Sequence, residues 1–266
     1  MAGAGVWLGC YLSDGSVAAI EIYMASLVAA LVCAGGNAMN DVVDLESDMV
    51  NHPKRPLPND ELPLYFAILT AGVLNSFALT IAFFLNWAVL AIIILSMVFL
   101  FAYNFKLKSL PLAGNLVISF LAGATFIVGG LISDGRSGLL WPGPFVPAIF
   151  AFLFHLGREI IKDVADYDGD IKAGHKTFPT MVSLSAVMLT VSVIYAALVI
   201  LTLLPVCFHW YSPWYVYLAI LLVDMPLSIL IIYLWRSDKP VRFMQAGRIL
   251  KLLMLFGLVA FFLGKY

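Results

Sequence analysis

The chain has 266 residues, of which 62% are hydrophobic and 12% charged, and its mean hydropathy is +0.98. Soluble domains carry about 25% charged and about 45–50% apolar residues, so a water-soluble globular domain is excluded and a polytopic membrane protein is implied. The formal net charge of −1 offers no electrostatic footprint for nucleic acid, and the isolated cysteines Cys10, Cys33 and Cys207, without CxxC spacing, exclude a disulfide framework or a zinc site.

A membrane-crossing helix needs about 20 mostly apolar residues. Residues 2–12 are apolar but shorter than that, and they lack the basic start of a signal peptide. They read as a short helix, or as the second half of one whose beginning lies outside this sequence. Eight further spans follow, at about 18–38, 62–84, 87–105, 111–131, 145–161, 178–203, 214–234 and 248–264. The expected fold class is therefore all-α: a helical bundle of about nine transmembrane helices, the first one short or truncated. Residues 1–266 are expected to form a single integral-membrane domain.

The connections sort by charge. Lys54, Arg55, Lys106, Lys108, Arg158, Lys162, Lys172, Lys176, Arg236, Lys239, Arg242 and Arg248 fall on one side, and only Arg136 and Lys265 on the other. Loops rich in Lys and Arg face the cytoplasm. This predicts a multi-pass protein of the cell membrane with its long loops inside. Charged loops after the second and sixth helices hint at an internal repeat.

Nine of the sixteen Asp and Glu residues fall in two windows at the cytoplasmic ends of apolar helices. They are Asp41, Asp44, Glu46 and Asp48, then Glu159, Asp163, Asp166, Asp168 and Asp170. Like charges gathered beside a low-dielectric medium are costly unless something neutralises them. Asn40, Asp44 and Asp48 recur at i, i+4, i+8, and Asp163, Asp166 and Asp170 at i, i+3, i+7. On a helix each set lines one face. Oxygen-only faces suit a hard cation such as Mg²⁺, which is usually held by one or two carboxylates plus substrate phosphates. Asp168 falls off the shared face and is left out of the metal set.

Cations accompany these acids. Lys54 and Arg55 stand in a stretch stiffened by Pro53, Pro56 and Pro58. Tyr103 and Lys108 end the fourth helix on the same side, and Arg158 and Lys162 lead into the second window. Arginine grips phosphate through a bidentate fork, so the combination reads as a metal–diphosphate clamp. A cation transporter using the same carboxylates is the alternative from another class; it predicts acids at mid-membrane depth. His52 and His175 read as surface residues and His155 as a satisfied interior histidine. Asp224, inside an apolar span, reads as a buried acid hydrogen-bonded near a kink at Pro226.

Asn40-Asp41-Val42-Val43-Asp44-Leu45-Glu46-Ser47-Asp48 with Asn51-His52-Pro53-Lys54-Arg55-Pro56-Leu57-Pro58 resembles the first signature of the UbiA-type intramembrane prenyltransferases. Asp163-Val164-Ala165-Asp166-Tyr167-Asp168-Gly169-Asp170, with Lys172, Gly174, Lys176 and Thr177, resembles the second. Gly157 through Asp163, Lys176-Thr177-Phe178-Pro179, and Tyr103 through Lys108 leading to Gly114-Asn115 are similar to the geranylgeranylglycerol-phosphate geranylgeranyltransferase branch. One departure is that the family's Arg-Pro-x-Asn segment at the start of its first helix has no counterpart here.

The resemblance implies Mg²⁺-dependent transfer of a geranylgeranyl group from geranylgeranyl diphosphate to the free hydroxyl of geranylgeranylglyceryl phosphate. That reaction forms the second ether bond of archaeal-type lipids; transfer to an aromatic acceptor is the alternative within the family. Two Mg²⁺ ions bridged by the diphosphate are implied, held by Asn40, Asp44 and Asp48 and by Asp163, Asp166 and Asp170. Lys54, Arg55, Lys108, Arg158 and Lys162 would bind the diphosphate. Asp44, Asp166 and Tyr103 are candidate catalytic residues, and Asp41 is the candidate acceptor of the hydroxyl proton. The implied partners are the prenyl diphosphate, the lipid-phosphate acceptor and membrane lipid, with no obligatory protein partner.

Overall fold

The computed structural model describes residues 1–13, 15–134, 137–237 and 239–265, and Asp14 and Arg136 lie outside them. Among the described residues every regular element is helical: α1 (Ala2–Leu12), α2 (Ala19–Val43), α3 (Leu45–Asn51), α4 (Leu64–Phe83), α5 (Trp87–Phe105), α6 (Ala113–Asp134), α7 (Phe145–Ala165), α8 (Tyr167–Lys172), α9 (Phe178–Met181), α10 (Leu184–Leu201), α11 (Leu204–Cys207), α12 (Pro213–Ala219), α13 (Met225–Trp235) and α14 (Pro240–Gly264).

Seven stretches among them are long and apolar enough to cross a membrane: α2, α4, α5, α6, α10 with α11, α12 with α13, and α14. The protein is an integral membrane protein. The two remaining expected spans differ from these. α1 has 11 residues. α7 has 21, but Arg158, Glu159, Lys162 and Asp163 occupy its last turns, so it is apolar at one end only. Large apolar side chains such as Trp87, Phe83 and Phe84 point outward from the bundle, as a lipid-facing surface requires.

The bundle has two packed halves. Val28, Ala78, Val89 and Val128 centre a cluster shared by α1, α2, α4, α5 and α6. Ile160, Val187, Leu227 and Leu250 centre another shared by α7, α10, α13 and α14. A third cluster around Leu8, Phe126, Tyr215 and Phe261 ties the halves together. Gly9 of α1 and Gly129 of α6 let these two backbones touch, since a Cβ on either would strike the other helix's main chain.

Each half carries one acidic motif, and both are built alike. α2 ends at Asp44 with φ −88° and ψ 5°, and the short α3 follows. α7 ends at Asp166 with φ −94° and ψ 5°, and the short α8 follows. The continuous helical face expected through each motif is therefore bent at its central aspartate. It is not lost, because Asp44 N–H still donates to Asn40 O (2.8 Å) and Asp48 N–H to Asp44 O (2.7 Å). Asp166 and Asp170 repeat the pattern, each at 3.0 Å.

Just before Pro226, where a kink was expected, the helix carries a π-helical turn over Ile220–Asp224. α14 starts at Pro240, earlier than the sequence suggested, so Arg242 and Arg248 are helical residues.

Candidate active site

The two motifs meet at one end of the bundle. His52 Nε2 lies 3.1 Å from Asp166 Oδ1. Asn51 Nδ2 donates to Asp166 O (2.8 Å), and Gly169 N–H donates to Asn51 Oδ1 (3.0 Å). Gly169 is required here, because a Cβ would occupy the space of the Asn51 amide. The end of α3 and its capping residue His52 thus close one motif onto the other. His52, read as a surface residue, is a bridge between them. His175, also read as surface, lies 3.7 Å from Asp170 and is only partly exposed.

Asn51 therefore supplies a test of the clamp. Asn51→Ala removes both hydrogen bonds to the second motif, of about 1 kcal/mol each, together with a longer one to Ser47 (3.4 Å). The expected result is a thermal unfolding temperature several degrees below wild type in the same detergent, with transfer activity reduced.

The acids are each held by a specific partner. Asp44 accepts from Asn40 Nδ2 (2.6 Å) and from Lys108. Arg55 Nη1 donates to Asp48 (2.6 Å) and stands 3.6 Å from Asp41, so it spans the bend between α2 and α3. Asn115 of α6 donates to Asp163 (2.8 Å), and Thr177 to Asp170 (3.1 Å). Lys162 Nζ is 3.9 Å from Asp166. Arg158 pairs with Glu159, outside both motifs.

Tyr103 lies within electrostatic reach of Lys162, Glu159, Asp163 and Asp44. Gly114 leaves room for its ring beside α6. Lys54, Lys106 and Asp168 are exposed, and among the described residues none of their side chains makes a hydrogen bond or ion pair. The structure thus gathers Asn40, Asp41, Asp44, Asp48, Arg55, Lys108, Tyr103, Lys162, Asp163, Asp166 and Asp170, and leaves Lys54 outside the cluster.

Electrostatics separates two of the acids. Burial pushes the Asp48 carboxyl above the usual range even with Arg55 against it. Burial also works against ionised Asp166, but the His52 hydrogen bond and the charges of Lys162, His52 and Arg55 outweigh it and hold this carboxyl below the usual range.

The donors suit a hard cation. They are all oxygen, and Asn40 Oδ1 is buried with no partner among the described residues. No three acidic, histidine or cysteine groups among the described residues converge on one point. The two sets of three are therefore not gathered as closed cages; an ion would take one or two oxygens from a motif and the rest from phosphate and water, as Mg²⁺ does.

Below the cluster lies one apolar cavity of about 300 Å³ between the two halves. Asn37 and His155 line it, each one turn before the acids of its own helix, with Phe126, Phe150 and Phe154 in its walls. Asp224 also faces it at mid-bundle depth. Its Oδ1 accepts from Thr202 (3.4 Å) and its Oδ2 is buried without a partner among the described residues. The acidic clusters themselves sit at helix ends rather than at that depth.

The arrangement is a polar rim of paired acids and cations over an apolar channel. The UbiA prenyltransferase family model matches residues 2–263. The chain belongs to the UbiA prenyltransferase family. It is a prenyltransferase, which removes the cation-transporter reading. It is 34% identical to the digeranylgeranylglyceryl phosphate synthase of Methanopyrus kandleri, over 98% of this chain and 93% of that protein. The synthase of Methanosphaera stadtmanae is 31% identical over 92% of this chain and 88% of its own length.

A solved structure described as digeranylgeranylglyceryl phosphate synthase superposes with a TM-score of 0.75 at 27% identity, covering 99% of this chain and 92% of that one. A UbiA homolog from Archaeoglobus fulgidus, bound to DMAPP and Mg²⁺, has the same fold, with a TM-score of 0.69, 19% identity, and 98% and 93% of the two chains covered.

Sequence reasoning missed Asn51, His52, Thr177 and Asn115 as site residues. Asn51 and His52 stood beside the first motif, and Asn115 beside Gly114 in the branch resemblance. It also missed Lys251 of α14, which lies within electrostatic reach of Arg158, Glu159, Lys162 and Arg55.

Proposed function

We propose that residues 1–266 act as one unit that transfers a geranylgeranyl group from geranylgeranyl diphosphate to the free hydroxyl of geranylgeranylglyceryl phosphate, on the cytoplasmic side of the cell membrane. The observation that carries the reading is the bridge between the motifs, His52 to Asp166, above an apolar cavity. The names of the M. kandleri and M. stadtmanae relatives supply the acceptor. The Mg²⁺ and prenyl diphosphate bound to the A. fulgidus homolog supply the donor class and the metal.

Mg²⁺ bound here, two ions in this reading, would neutralise the charge of the leaving group. Asn40, Asp44 and Asp48 and Asp163, Asp166 and Asp170 would hold it. Arg55, Lys108 and Lys162 stabilise the charge that builds on the departing diphosphate, and Lys54 adds to the field at the rim. The prenyl tail lies in the cavity, where Phe126, Phe150 and Phe154 exclude water from the allylic cation. The allylic C–O bond breaks with its electron pair leaving on the diphosphate. The acceptor oxygen bonds to the first prenyl carbon, and its proton passes to Asp41. Tyr103 orients the reacting groups beside Lys162.

Purified protein incubated with geranylgeranyl diphosphate, Mg²⁺ and a panel of lipid-phosphate and aromatic acceptors tests this. The expected product is digeranylgeranylglyceryl phosphate, formed only with the metal. Turnover of an aromatic acceptor alone would contradict the acceptor assignment.

A further inference from the structure

We propose that Lys251 of α14 and Arg158 of α7 form a subsite for the phosphate group of the lipid acceptor, separate from the site of the donor diphosphate. The inference rests on the reading that the acceptor is a lipid phosphate. On α14, Gly247, Lys251, Met254 and Leu258 recur at i, i+4, i+7, i+11 and share a face. Met254 and Leu258 line the apolar cavity, so Lys251 stands one turn above them at its mouth. On α7, Phe154 and His155 line the same cavity and Arg158 stands one turn above. The two cations therefore occupy facing positions on the rim, within electrostatic reach of each other. Next to Lys251 the helix face is open, since a Cβ on Gly247 would meet nothing within 4 Å. That space admits a headgroup.

The other cations of the site are committed elsewhere. Arg55, Lys108 and Lys162 each lie against a motif carboxylate. Arg158 has only Glu159, and its Nε is buried without a partner among the described residues. Lys251 makes no ion pair among the described residues. One unmet donor beside the Arg158–Glu159 pair, and one charge at the cavity mouth without an ion pair among the described residues, fit a phosphomonoester. In the acceptor the phosphate and the reacting hydroxyl sit on neighbouring carbons. An anion held at this rim therefore keeps the hydroxyl beside the head of the cavity, where the first prenyl carbon lies.

The test compares wild type, Lys251→Gln and Lys251→Arg in steady-state kinetics. The acceptors are geranylgeranylglyceryl phosphate and its phosphate-free counterpart, geranylgeranylglycerol. Losing one charge-assisted contact is expected to raise KM for the phosphate acceptor by about 10- to 100-fold. KM for geranylgeranyl diphosphate stays at the wild-type value, Lys251→Arg restores most of the loss, and kinetics on the phosphate-free acceptor do not respond to the substitution. A rise in KM for the donor instead would place Lys251 at the diphosphate and overturn the proposal. So would unchanged KM for the phosphate acceptor in Lys251→Gln while wild type turns it over, which leaves the function reading intact. Wild-type protein that uses acceptors without a phosphate and never the lipid phosphate would overturn both.

Discussion

Alanine at Asp44 or Asp166 is expected to lower prenyl transfer by roughly 10³-fold or more, because ion-assisted neutralisation of the leaving group is worth several kcal/mol. The two residues are equivalent in the fold: each ends a long helix with the same backbone bend and starts a short one. Each nevertheless has its own neighbours. Asp44 is held by Lys108 and Asn40, and Asp166 by His52 and Lys162. Asp166→Asn separates charge from scaffolding, since an amide oxygen still accepts a hydrogen bond from His52 while the negative charge is gone. The rate loss should persist in Asp166→Asn, with a thermal unfolding temperature close to wild type. Wild-type turnover in either alanine variant would remove the clamp.

Lys108→Met is expected to cost roughly 10²-fold in kcat, the scale of losing one preorganised donor at developing negative charge. Lys108 is almost fully enclosed and lies against Asp44. Its removal frees an Asp44 oxygen, so the Mg²⁺ concentration giving half-maximal activity should fall even as kcat falls. A Mg²⁺ titration of the variant against wild type checks both signs together. A lysine that merely neutralised Asp44 would leave kcat unchanged.

The acids and most of their cations were legible from charge pattern alone. Charged residues beside apolar helices are costly, so their clustering on one side carries information. The helical spacing of Asn40, Asp44 and Asp48 was legible too, because the i→i−4 bonds run through the bend. The bend was not, since nothing at Asp44 or Asp166 marks a stop: no glycine or proline follows either one directly.

Contacts between distant parts of the chain were equally hidden. His52 and Asn51 reach residues more than a hundred positions away, and His52, next to a proline, read locally as surface. Lys251 was masked by the apolar helix around it. Only the packing of α14 against α7 brings it within electrostatic reach of Arg158 and Glu159. Asp224 shows the reverse case: its hydrogen bond was anticipated, but its partner Thr202 lies on another segment and its backbone belongs to a π turn.

The central claim is that both motifs grip one metal–diphosphate group, and equilibrium binding of a non-reactive geranylgeranyl diphosphate analogue measures it directly. The account predicts that Mg²⁺ strengthens binding to wild type by at least about 100-fold. Asp44→Ala and Asp166→Ala should each abolish that gain, and the double variant should be no weaker than either single one. Metal-independent binding, or a gain that survives loss of either aspartate, would contradict it.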